Sequence, residues 1–168
     1  RVVGEIAPFH GTHYGNDMWM ISNNHDNKDG YLADDDYTNA ELAPHTDFSS
    51  YSQTPGMLVF HCLRPAIKGG ETTLVDAFAA AEILKVENPS AFRILSETPT
   101  DHRYEMRVKF IIFSGSNPLI ACARNKPLIE LNEDGGYAQI RFNLLLRSPL
   151  RLNGRATSKP EEITAFYE

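Results

Sequence analysis

Pro55-Gly56-Met57-Leu58-Val59-Phe60-His61-Cys62-Leu63, then Gly69-Gly70, then Glu71-Thr72-Thr73-Leu74-Val75-Asp76 is the stretch on which the fold class turns. The first run is apolar and of strand length, the double Gly supplies a turn, and the second run carries β-branched residues. Together they predict a hairpin. Towards the C-terminus, short apolar or alternating runs recur at residues 104–113, 119–123, 128–131 and 137–146. Turn signals separate them, at Gly115-Ser116-Asn117-Pro118, Asn125-Lys126-Pro127 and Glu133-Asp134-Gly135-Gly136. Many short strands at this spacing predict a sandwich or barrel. Two helices interrupt the strands. Residues 77–85 are rich in strong helix formers, and Asn88 can cap a second helix through Leu95, with Pro89 at its first position. The fold class is therefore mainly β with flanking helices.

Upstream, residues 1–55 are polar and irregular, with loop-like tracts at 23–30 and at Asp34-Asp35-Asp36. The whole chain has 168 residues, with 16 Lys+Arg against 22 Asp+Glu, a net charge of 16 − 22 = −6. Hydrophobic residues make up 42% and charged residues 23%, the mix of one globular domain rather than a disordered chain. No apolar run approaches the roughly 20 residues of a membrane span. The acidic balance argues against nucleic acid, whose phosphates favour a basic stripe. Cys62 and Cys122 form no zinc pattern, and each sits in an apolar stretch, which predicts buried free thiols and fits a reducing compartment. The chain begins at Arg1, and Pro160-Glu161-Glu162 opens a helix behind Ser158 or Lys159 that stops after two turns. That reads as a fragment, so a targeting segment is not legible.

His45-Thr46-Asp47 asks for a chemical explanation. In an extended segment, positions i and i+2 share a face. An imidazole and a carboxylate there supply two of the three ligands of a 2-His-1-carboxylate iron site. Six His and ten Asp in 168 residues give roughly 0.4 such spacings by chance, so the spacing alone reads as a surface pair ahead of a metal site.

Three blocks in fixed order add to it: residues 37–47 ending in Ala43-Pro44-His45-Thr46-Asp47, residues 55–63, and Gly69-Gly70-Glu71-Thr72-Thr73-Leu74-Val75-Asp76-Ala77-Phe78. Together they resemble the iron(II)- and 2-oxoglutarate-dependent dioxygenases of carnitine biosynthesis, trimethyllysine dioxygenase and γ-butyrobetaine dioxygenase, within the taurine dioxygenase-like (TauD/TfdA) group. The resemblance runs from about Gly4 to the C-terminus. It implies a double-stranded β-helix, a distorted jelly roll, incomplete at its C-terminus. Residues 1–168 would then be part of a catalytic domain whose N-terminal region and C-terminal part are absent. His45 and Asp47 match the first two iron ligands. Thr72 matches a hydroxyl that helps hold 2-oxoglutarate, though by itself it reads as well as a strand residue. The family's third ligand, a His before Gly-Arg, and its 2-oxoglutarate-binding Arg match nothing here, so the resemblance implies an enzyme that this chain does not complete. His61 and His102 fall elsewhere in the pattern, and His61 reads as a core histidine.

The family's substrates carry a trimethylammonium group, which is held against aromatic faces at about 0.5 to 2 kcal/mol per contact. Tyr14, Trp19 and Tyr37 match the cage positions in order, although each could be a core or loop anchor, and Tyr31 could replace one of them. Asp34 stands where trimethyllysine dioxygenase has an Asp and γ-butyrobetaine dioxygenase an Asn. A carboxylate there can pair with the α-ammonium of trimethyllysine, a group γ-butyrobetaine lacks; otherwise Asp34 is one of three solvated loop acids. Asn143, after Arg141-Phe142, matches an Asn that contacts the substrate carboxylate, while Leu144 replaces the usual second Asn. The implied reaction is hydroxylation of trimethyllysine at C3, with γ-butyrobetaine as the alternative substrate and ascorbate as reductant. The implied setting is intracellular: mitochondrial for the first enzyme, cytoplasmic for the second. No nucleic acid or membrane partner is expected, and a homodimer is compatible with the reading. Two other classes compete: a jelly-roll domain that has lost iron, and a cupin-like enzyme using His10 and His13.

Overall fold

Asp76 starts the first long helix. Its carboxylate Oδ1 accepts the backbone N–H groups of Phe78 and Ala79, both at 3.0 Å, and so satisfies two donors that a helix start leaves open. The computed structural model describes residues 2–12, 18–21, 41–106, 119–144 and 160–167. Among them lie helices α1 (Val2–Ile6), α2 (Ala77–Glu87), α3 (Pro89–Glu97) and α4 (Pro160–Tyr167). The strands are β1 (Thr100–Met106), β2 (Leu119–Lys126), β3 (Ile129–Leu131) and β4 (Tyr137–Ile140). Asn88 ends α2 and starts α3: its N–H donates to Leu84 O, and its side chain accepts from Ala91 N at 3.0 Å. Both long helices and α4 stand where the sequence predicts them, because caps and Pro at the first turn act locally.

β1 pairs with β2 and β3 pairs with β4, giving two two-stranded sheets. β3 and β4 are antiparallel, with Ile129 opposite Ile140, Glu130 opposite Gln139, and a bulge between Glu130 and Leu131. The hairpin turn predicted at residues 133–136 is present, with Gly135 at φ 82°. That conformation penalises a Cβ, so Gly is required. β2 overruns its predicted end into the expected turn at Asn125-Lys126-Pro127. There, Asn125 takes φ 54° and donates its N–H to Asp101 Oδ1 at 3.1 Å.

The described chain divides into two compact units. One holds Arg1–Ala43, Pro55–Glu71 and Glu105–Ile120; the other holds Pro44–Thr54, Thr72–Tyr104 and Ala121–Glu168. In the second, α2 and α3 pack on the β3–β4 hairpin and α4 packs on α3. Its core is Ala81, Phe92 and Ile129, flanked by Leu84, Leu95, Tyr137 and Ile140. Tyr137 stacks on Phe78 with ring centroids 5.5 Å apart and meets Phe92 edge-on at 6.4 Å.

The hairpin expected at residues 56–76 does not form: the backbone from Pro55 to Asp76 is irregular. Gly69 and Gly70 keep the positive φ of a turn, 75° and 80°. The flanking runs pair with no described segment, and Met57, Phe60, Leu63 and Leu74 stay exposed. Apolar β-branched sequence favours a pleated surface only where a neighbouring strand provides one. The same failure leaves Cys62 and His61 exposed, against the buried thiol and core histidine expected there. Cys122, in β2, is half-buried and free. His102 in β1 is buried, and its Nε2 lies 3.0 Å from Thr100 Oγ1 and 3.3 Å from Lys126 O. No helix among the described residues is long and apolar enough to cross a membrane. The described sheets are small, and a closed double-stranded β-helix is a larger assembly than either of them.

Candidate functional site

Thr46 sets the geometry of the His-x-Asp segment. Its backbone N–H donates to Phe142 O at 2.6 Å, and its side-chain Oγ1 accepts the Phe142 N–H at 2.8 Å. Both main-chain groups of Phe142 are thus taken by a residue 96 positions earlier. β4 stops at Ile140, short of the predicted 146: Arg141 N–H still donates to Leu128 O at 2.8 Å, and at Phe142 the chain changes partner. Residues 145–150 lie outside the described residues.

With the central residue tied, its neighbours meet. His45 Nε2 stands 3.2 Å from Asp47 Oδ1, with side-chain exposures of 24% and 44%. Two ligands at about 2.1 Å from a first-row metal, on adjacent octahedral corners, lie roughly 3.0 Å apart. The pair therefore fits two positions of a facial triad, and both side chains are partly exposed. Among the described residues, no group of three His, Cys, Asp or Glu converges as a metal site. A third donor would have to come from elsewhere.

Immediately after Asp47 the chain reverses. Phe48 adopts φ 53°, rare for a bulky residue, and Tyr51 N–H closes the turn on Phe48 O at 2.8 Å. Phe48 and Tyr51 pack edge to face at 5.2 Å. Ser49 and Ser50 are buried. A buried reverse turn leaves carbonyls without water, and here Arg141 supplies their donors. Its Nη1 donates to Ser49 O at 2.8 Å and Tyr51 O at 2.7 Å; its Nη2 donates to Gln139 Oε1 at 2.9 Å and Ser52 O at 3.3 Å. Its Nε faces Glu130 Oε2 at 3.7 Å, and Glu130 Oε1 also accepts from Lys126 Nζ at 2.7 Å. Burial pulls the guanidinium below its ordinary value, and the Glu130 carboxylate opposes that shift.

The expected site residues are therefore distributed as follows. The structure brings His45 and Asp47 together, and Asn143, half-buried, follows the Phe142 tie directly. Thr72 is exposed in the irregular segment before Asp76 and makes no hydrogen bond to the pair. Trp19 is half-buried in the other unit. Tyr14, Tyr31, Asp34 and Tyr37 lie outside the described residues, as does His13 of the competing His10–His13 reading. Sequence reasoning missed Thr46 and Arg141. Arg141 did carry a signal, a lone charge between Ile140 and Phe142 in an apolar run, where it must be paired if buried.

Residues 3–166 match the family described as taurine catabolism dioxygenase TauD, TfdA family. The chain is 35% identical to trimethyllysine dioxygenase of Meyerozyma guilliermondii over 156 residues, 93% of this chain and 35% of that protein. It is 34% identical to gamma-butyrobetaine dioxygenase of Pseudomonas sp. (strain AK-1) over 119 residues, 71% of this chain and 28% of that one. With human mitochondrial trimethyllysine dioxygenase the identity is 36% over 104 residues, 62% and 23% of the two chains. The chain spans about a third or less of the length of these relatives.

Proposed function

Because this chain belongs to the TauD/TfdA dioxygenase family, we propose that it carries two of three ligands of an iron(II)- and 2-oxoglutarate-dependent site that hydroxylates trimethyllysine. The observation that carries this reading is the convergence of His45 Nε2 and Asp47 Oδ1 at 3.2 Å. The third ligand is then a His outside residues 1–168, and the chain is part of a catalytic domain built as a double-stranded β-helix. When bound, iron(II) with 2-oxoglutarate as cosubstrate activates dioxygen for hydroxylation of an unactivated C–H bond, with ascorbate as reductant. The protein's own residues bind and orient. His45 and Asp47 would hold the metal. The Thr72 hydroxyl donates to a 2-oxoglutarate carboxylate without adding charge. Tyr14, Trp19 and Tyr37 receive the trimethylammonium group, and Asp34 pairs with the α-ammonium at the other end. Asn143 donates to the substrate carboxylate. Gripping both ends fixes which carbon faces the metal. The compartment follows the substrate: mitochondrial for trimethyllysine, cytoplasmic for γ-butyrobetaine.

γ-Butyrobetaine remains the second reading, supported by the 34% identity to a gamma-butyrobetaine dioxygenase. The test offers both substrates in parallel to the full-length protein with iron(II), 2-oxoglutarate and ascorbate, and follows hydroxylated product by mass spectrometry. Product from trimethyllysine is expected. Product from γ-butyrobetaine alone would transfer the site to that substrate and make Asp34 a loop acid. Turnover that survives His45→Ala or Asp47→Ala would remove the iron assignment.

A further inference from the structure

We infer that Arg141 is a positioning residue for the candidate metal pair, holding the turn behind Asp47 so that His45 and Asp47 stay converged; this rests on the reading of that pair as metal ligands. Arg141 is 1% exposed. A guanidinium has five N–H donors in a fixed plane. Four are used on Ser49 O, Tyr51 O, Ser52 O and Gln139 Oε1, and the fifth faces Glu130. Three of these acceptors are backbone carbonyls of the reversal that follows Asp47. The adjoining residue, Phe142, ties Thr46 between the two ligands. Arg141-Phe142 therefore fixes the ligand segment both at its centre and just beyond its end, from about 90 residues away in sequence. Both terminal nitrogens are hydrogen-bonded internally, and Nε is buried without a hydrogen bond, facing Glu130 at 3.7 Å, so Arg141 acts through the ligands rather than on the reacting atoms.

Lys cannot replace it: an ammonium keeps the charge facing Glu130 but has three donors on a point, not five in a plane. Groups that orient metal ligands typically change metal affinity by about 10- to 100-fold when lost. The test titrates cobalt(II) into the full-length protein and into Arg141→Lys, reading the visible cobalt bands, with circular dichroism as the fold control. The expected result is a folded variant that binds cobalt about tenfold more weakly, with altered bands. Parent-like affinity and bands in folded Arg141→Lys would overturn the inference. Should that variant fail to fold, Gln139→Ala decides. It removes one acceptor of the clamp, Gln139 Oε1, and a clear loss of cobalt affinity supports the inference while unchanged affinity overturns it. His45→Ala run alongside separates the two readings. If it retains parent-like cobalt binding, the metal assignment fails and the positioning role falls with it; if only Arg141→Lys is parent-like, the positioning role alone fails.

Discussion

Thr46 is the residue whose chemistry the motif His-x-Asp conceals, because the x position looks free. Its hydroxyl accepts the Phe142 N–H at 2.8 Å while its own N–H donates to Phe142 O. Thr46→Val keeps the shape and the main-chain bond but removes the side-chain acceptor. A hydrogen bond of this kind contributes about 1 kcal/mol. For a chain of this size that is a fall in Tm of about 2–4 °C by thermal unfolding, whereas Thr46→Ser keeps the hydroxyl and should stay within a degree or so of the parent. Equal Tm values for Thr46→Val and the parent would show that the bond contributes nothing. The same side-chain logic distinguishes Arg141 from the exposed basic residues Lys85 and Arg93. Their pairs with Glu82 and Glu97 are solvated, at 3.7 and 3.9 Å, and such surface pairs contribute little.

Among the elements, the β3–β4 hairpin serves two faces. Tyr137 points into the helices, and Gln139, with Arg141 just past the strand, reaches the turn behind Asp47. Gln139 Nε2 also donates to Thr54 Oγ1 at 2.7 Å. Burial, with the Glu82 carboxylate adding to it, pushes the Tyr137 phenol up from 10.0 to about 12. The folded state thus holds the phenolic proton more tightly than the unfolded chain does. The contribution is complete below pH 10 and is lost as pH rises from 10 to about 12, because the unfolded chain alone ionises in that window. Urea midpoints of the parent, followed across the window, should fall more steeply than those of Tyr137→Phe. Parallel curves would mean that Tyr137 titrates as it does in the unfolded chain.

For the whole molecule, order is uneven. Residues 55–76 carry exposed apolar side chains without helix or strand, whereas residues 77–104 contain α2, α3 and the start of β1. Among the described residues, limited trypsin digestion should cut at the exposed Lys68 before it cuts at Lys85 and Arg93 inside helices. Initial cleavage within α2 or α3 would contradict that order. The contrast also separates what was legible from what was not. Asp76 and Asn88 bond backbone groups within a few residues, and Pro89 and Pro160 fix φ in a first turn, so α2, α3 and α4 followed from the order of residues alone, as did the Gly135 turn; α1 lies in a stretch that reads as irregular. The His-x-Asp spacing put His45 and Asp47 on one face, since i and i+2 project alike from any extended segment, but their reading as a metal pair came from the resemblance of the three blocks around them. Strand pairing, by contrast, depends on a partner that no local window contains, which is why the predicted 56–76 hairpin failed and why β4 left its ladder at Phe142. The tie from Phe142 to Thr46 and the Arg141 clamp join segments 96 and 92 residues apart. Only tertiary structure could decide them, because a buried guanidinium takes its place from whichever carbonyls the fold leaves without water.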